Sequence, residues 1–258
     1  MATWLKLGGI LWCFLSLNAC VTTTTGVAVS KDKKAAHSTR IDLGMKYLSV
    51  DRRDKARWQF NKALELEKNS PLAIHGLALV HQANGEAEPA EKLFLKAIKL
   101  AQDKTMKSGF EVSYGRFLYE NDRTKEACPL FESAAADYDY GRRSDALYMA
   151  AKCAEKIGNF ARVKPAYEHS MNLNARYTPS MIELAEIYFA EGDYANSKKL
   201  LDRFMKLTNP TARSLWLGVR IERIFGNADQ EASYALALKN LHPYSNEYLE
   251  YKRLLEKQ

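Results

Sequence analysis

The chain has 258 residues, 47% of them apolar and 27% charged, which is enough to bury a real core and too apolar for a disordered chain. Thirteen Gly and seven Pro exclude a collagen-like or linker-dominated polymer, and four Cys are too few for a small disulfide scaffold. The formal charge of +7 comes from Lys and Arg interspersed with Asp and Glu, a solvated basic surface rather than a blocked basic tail.

Met1–Lys6 carries one positive charge, and Leu7–Leu17 is an apolar stretch of secretory length, too short for a confident membrane span. The run closes on Leu17-Asn18-Ala19-Cys20, which resembles the lipobox of bacterial lipoproteins. That resemblance implies that residues 1–19 are a lipoprotein signal peptide and that Cys20 is the lipidation site. Ordinary signal cleavage beside an incidental Cys is the alternative. Acyl chains contribute about 0.8 kcal/mol per buried CH₂, so several of them hold durably. Val21 stands where Asp would retain the lipoprotein at the inner membrane, and by analogy with that sorting rule the anchor is the outer membrane, on its periplasmic side. Residues 20–38 are Thr- and Lys-rich, with almost no large apolar side chain, and read as an acylated N-terminus and flexible tether. The folded body is expected over residues 39–258.

That body repeats with a period near 34. Leu43, Gly44, Tyr47, Ala56, Phe60 and Ala63 match Leu77, Ala78, His81, Ala90, Phe94 and Ala97; a third copy gives Tyr114, Gly115, Leu118, Ala127, Phe131 and Ala134. Looser copies begin at Ala150, Leu184 and Leu217. Small residues at Gly44, Ala78, Gly115, Ala151, Ala185 and Gly218 allow two helices to approach, and Phe60, Phe94, Phe131 and Tyr167 fill the space between layers. Asn84-Gly85, Asn121-Asp122, Gly158-Asn159, Gly192-Asp193 and Gly226-Asn227 mark turns between first and second helices. Pro89 falls in an opening turn, whereas Pro129 and Pro165 fall later, so their second helices are expected to start late. The pattern resembles the tetratricopeptide repeat (TPR) over residues 39–242. It implies an all-α superhelical solenoid of about six helix-turn-helix repeats.

In that pattern the first helices line a groove that holds a partner's segment. The register selects Ile41, Met45 and Leu48; His75, Leu79 and Gln82; Val112, Arg116 and Tyr119; Tyr148 and Lys152 with Glu155; then Ile182, Glu186, Phe189, Leu215, Val219 and Glu222. Their mixed chemistry suits apolar anchors on a protein partner, with packing against neighbouring helices as the alternative.

Catalysis finds little support. The five His have no metal-binding spacing, and no phosphate-cradling glycine loop or nucleophile elbow occurs, so neither a catalytic nor a metal site, a cofactor nor a small-molecule substrate is expected. Export and the lack of an aromatic-basic motif argue against nucleic acid. Cys128 opens one second helix and Cys153 lies in the following first helix, elements that pack together in such a stack. In an oxidising compartment a disulfide closing about 25 residues is expected, worth roughly 3 kcal/mol, with two buried free thiols as the alternative.

Lipobox, tether and six TPR-like units together resemble the type IV pilus biogenesis/stability lipoproteins, the PilF/PilW family. The closing segment carries the resemblance furthest, with Leu217-Gly218-Val219-Arg220-Ile221-Glu222-Arg223, Gly226-Asn227 and Ala232-Ser233-Tyr234-Ala235-Leu236 before Pro243. The resemblance implies a pilotin, a lipid-anchored periplasmic protein that binds the type IV pilus secretin subunit and helps it reach the outer membrane and multimerise. A general periplasmic TPR scaffold that organises peptidoglycan synthases or hydrolases is the alternative.

Overall fold

The structure, a computed structural model, describes residues 25–256. The described chain is a series of antiparallel helix pairs: α1 (Thr25–Ser49) with α2 (Arg53–Leu66), α3 (Pro71–Ala83) with α4 (Ala87–Leu100), and α5 (Lys104–Glu120) with α6 (Thr124–Ala135). Next come α7 (Arg143–Lys156) with α8 (Val163–Leu173), α9 (Thr178–Ala190) with α10 (Tyr194–Leu207), and α11 (Ala212–Phe225) with α12 (Ala228–Leu241). A last helix, α13 (Asn246–Glu256), packs on both helices of the sixth pair. This is the expected TPR solenoid of six units, with no strand among the described residues.

Local chemistry sets the boundaries. Ser70 caps α3 by accepting from the Ala73 amide at 3.3 Å, just before Pro71; Asp103 caps α5 through Met106 N at 2.7 Å; Thr211 and Ser214 form a reciprocal capping box on α11. Gly85, Gly158, Gly192 and Gly226 turn each first helix into its second with φ between 73° and 81°, a region costly for side-chain-bearing residues. Asp51 and Asp122 hold the same left-handed conformation in the first and third units. The prolines divide. The fourth unit's second helix does begin late, with a 3-10 turn over Phe160–Arg162 before α8. Helix α6 instead continues through Pro129, which removes the donor that the Lys125 carbonyl would otherwise receive.

The core is continuous along the stack. Ala56, Ala63, Ala90, Ala97, Ala127 and Ala134 have no exposed surface, and Phe60, Phe94, Phe131 and Tyr167 are fully buried between layers. Burying a residue of that size contributes about 1.5–3 kcal/mol. The ring of Phe60 lies against the bare backbones of Gly44 in α1 and Gly76 in α3. Cys128 of α6 and Cys153 of α7 are joined by a disulfide with Cα atoms 5.5 Å apart, and both are buried.

The start of the fold differs from the sequence expectation. Residues 25–38, read as part of a tether, continue α1 without a break, and His37 Nε2 sits 2.8 Å from Ser70 Oγ at the mouth of α3. Ala35, Ala36 and the lysines around them are good helix formers, and the segment propagates a helix already nucleated on the core by Ile41. Cys20 and the 1–19 segment lie outside the described residues. No described helix is long and apolar enough to cross a membrane.

Candidate functional site

The first helices α5, α7, α9 and α11 present a run of charged side chains to one another, each about one repeat apart in sequence. Arg116 of α5 donates to the buried carboxylate of Asp145 at the start of α7; Asp145 also accepts from Arg142 at 3.1 Å and from the Tyr177 hydroxyl at 2.8 Å. Lys152 of α7 lies 2.6 Å from Glu155 and 3.7 Å from Glu183 of α9. Arg213 of α11 grips Glu183 with two bonds, at 3.1 and 2.8 Å, and approaches Glu186 at 3.5 Å. Arg220 closes the ladder on Glu186 at 2.8 Å, with its guanidinium over the rings of Phe189 and Trp216.

The electrostatics follow from partial burial. Burial works against the charges of Lys152 and Arg213, but the bond Lys152 donates to Glu155 and the charge of Glu183 outweigh it for Lys152, and Glu183 followed by Glu186 does so for Arg213, so both bases are held above their ordinary values. Burial, reinforced by the bond to Asp145, pushes the Tyr177 hydroxyl up and keeps it a neutral donor. Each pair fixes the offset between neighbouring units, because removing one member leaves the other partly desolvated and unpaired. A recess beside Asp145, lined by Tyr138, Tyr140, Arg142, Arg143 and Tyr177, opens where the third unit hands over to the fourth. Tyr148 stands between Tyr167 and Tyr177, with centroids 5.8 and 5.9 Å away. The face is therefore stiff, amphipathic and rich in Arg and Tyr, the residue types that dominate protein-binding surfaces.

The residues selected by register divide into three groups. Met45 and Glu155 are exposed; Leu48, Leu79, Arg116, Tyr119, Tyr148, Lys152, Glu186 and Phe189 are half-buried; and Gln82 reaches across to Glu120 at 2.9 Å. Ile41, Val112, Ile182 and Leu215 are buried, so the position two before the signature Leu is packing surface in these four units. Val219 has no exposed surface, and Glu222 is a buried carboxylate held by Lys198 of α10 and Asn227. His75 stacks on Phe110 at 4.6 Å with Phe94 at its edge, and its Nε2 is buried without a partner although part of the side chain reaches solvent. That burial brings the imidazole down to about 4, so it is neutral packing material.

Asp145, Glu183, Arg213, Arg220 and Tyr177 complete the face and were not selected by register. The available signal was a charged residue inside an otherwise apolar first helix, as in Met181-Ile182-Glu183-Leu184-Ala185, where an acid with no local partner implies a cation on the next unit.

No family model matches the chain. Type IV pilus assembly protein PilF of Pseudomonas aeruginosa is 32% identical over 92% of this chain and 94% of its own length. The solved structure of Pseudomonas aeruginosa PilF superposes with a TM-score of 0.79 at 31% identity, covering 86% of this chain and 99% of that one. PilW, described as a widely conserved type IV pilus biogenesis factor, superposes with a TM-score of 0.68 at 23% identity, covering 83% and 97%, a likeness of fold.

Proposed function

The chain belongs to the type IV pilus assembly family of PilF, and on that premise we propose that it is a pilotin: a lipoprotein acylated on Cys20, anchored to the periplasmic side of the outer membrane, that binds the pilus secretin subunit. The work is physical rather than catalytic and uses no cofactor, small-molecule substrate or nucleic acid. A lipid-anchored solenoid that holds a secretin subunit converts a three-dimensional search for the membrane and for other subunits into a local one, raising their effective concentration. Rigidity matters because a flexible scaffold would lose part of that gain to the entropy of ordering.

The observation that supports this reading best is the first-helix face itself. Cross-unit ion pairs hold it in one shape, and half-buried Tyr148, Phe189 and Trp216 offer apolar contacts between the charges. The recess beside Asp145, where the third unit meets the fourth, supports a binding face that continues from there along the ion-pair ladder, and α13 packs on both helices of the sixth unit at the far end of the stack. In the oxidising periplasm the Cys128–Cys153 bond would tie the third unit to the fourth.

The test is affinity capture of the acylated protein from envelope extract with identification of what co-purifies. The secretin subunit should be recovered with the parent and lost when Tyr148→Ala and Arg116→Glu are combined. Recovery of peptidoglycan synthases or hydrolases in its place would overturn the assignment.

A further inference from the structure

We propose that the first unit is a docking surface for an anionic lipid bilayer, through a basic patch centred on Trp58. The charge of the chain is shared unequally. Residues 31–70 carry eleven Lys or Arg against six Asp or Glu, whereas residues 71–258 carry twenty-six against twenty-five, so nearly all the net positive charge of the body belongs to one unit of six.

The patch lies at the N-terminal end of the described stack. Three residues before the signature Leu, the second, fourth and fifth units bury Ile74, Leu147 and Met181, at 1%, 9% and 0% exposure. The first unit has Arg40 at that register, half-exposed, donating to Gln59 at 2.9 Å with its guanidinium 5.2 Å from the centre of the Trp58 ring. Trp58 itself is 51% exposed, and Lys62 lies 5.9 Å from its centre. Lys55 sits over Tyr47 of α1 at 5.6 Å. Lys55, Trp58 and Lys62 are spaced i, i+3 and i+7, one stripe of α2. The nearby acids are engaged: Glu65 with Lys62, Asp54 with Arg57 and Asp51 with Arg53.

A polar end is what any solenoid needs, and charges of either sign would supply it. An excess of one sign around an exposed indole is more specific. A bilayer interface takes a Trp ring at headgroup level, and basic side chains beside it meet lipid phosphates. The inference deepens the anchoring reading above and rests on it for orientation, since the first unit is the one that follows Cys20 in the sequence.

The experiment uses the unacylated chain from residue 21, which keeps the whole described core, so its failure and a failure of acylation are distinguishable. In a Trp216→Phe background Trp58 is the remaining tryptophan of that chain. Co-sedimentation should show binding to phosphatidylglycerol/phosphatidylethanolamine vesicles, release by salt, little binding to phosphatidylcholine, and a blue shift of Trp58 emission. Each Lys lost near an anionic surface weakens binding about fivefold, so Lys55→Gln with Lys62→Gln should weaken it by about 25-fold while the urea midpoint stays unchanged. Equal binding to neutral and anionic vesicles, no binding at low salt, an unchanged Trp58 spectrum, or a patch that instead pairs two copies of the chain in sedimentation would each overturn the proposal.

Discussion

Adding one methyl group at two helical glycines should move stability in opposite directions. At Gly76 an ideal Cβ falls 2.5 Å from Phe60 Cζ and 2.6 Å from Cδ1, against the 3.5–4.0 Å of an ordinary carbon contact. The ring must retreat by about 1 Å, but its other side is equally occupied, since a Cβ at Gly44 would lie 2.7 Å from Cζ. Replacing Gly by Ala in a helix gains about 1 kcal/mol, while overpacking a full core costs about 1–3, so Gly76→Ala should destabilise by up to about 2 kcal/mol. At Gly109, a half-buried position of α5 between buried Ser108 and Phe110, the nearest atom is Tyr140 Cε2 at 3.8 Å, which is ordinary contact. Gly109→Ala should therefore stabilise by about 1 kcal/mol. Urea unfolding of the chain from residue 21, with the slope checked for constancy, reads both. In a Phe60→Leu background the cost of Gly76→Ala should shrink, which isolates the ring as its cause. If both alanines raised the midpoint alike, the close approach of α1, α2 and α3 around Phe60 would be refuted.

Other substitutions and conditions follow from the same geometry. His75 is neutral in the fold and takes up its proton only near pH 4, whereas the unfolded chain does so near 6.5; the unfolded state binds more protons between those values, so stability should fall by about 2–3 kcal/mol on acidification through that window. His75→Leu should flatten this pH dependence, and an unchanged slope would contradict the buried, unpartnered ring. Replacing both Cys128 and Cys153 by Ser should cost about 3 kcal/mol in chemical denaturation, and two free thiols titrating in unfolded, unreduced protein would show that the bond does not form. Asp145→Asn should cost about 2 kcal/mol, because Arg116 and the Tyr177 hydroxyl lose a charged acceptor at a buried site; a change below a few tenths would mean that solvent already serves them.

Much of the architecture is written in side-chain spacing. A small residue marks every unit and an aromatic follows it in the first four, because helices that cross closely have only one place for a methyl and one for a ring, and Phe60, Phe94, Phe131 and Tyr167 are buried as that rule requires. The start of α1 was not legible from composition, since a Lys- and Ala-rich segment with almost no large apolar side chain satisfies the description of a tether and of a helix extended from a core-bound turn. The groove register was legible only in part. Ile41, Val112, Ile182 and Leu215 are drawn into the contacts between layers, while Met45, Arg116 and Lys152, one turn further on, keep access to solvent. The ion-pair ladder was hidden for another reason: Arg116 with Asp145, and Glu183 with Arg213, are 29 and 30 residues apart, and only the superposition of successive units brings them together.

The most direct measurement on the pilotin account is the location of secretin multimers in cells whose only copy of this protein carries Cys20→Ala. The account predicts that multimers fall in the outer-membrane fraction and that unassembled or misplaced subunits accumulate, although the solenoid itself remains folded. Undiminished outer-membrane multimers in that strain would contradict it.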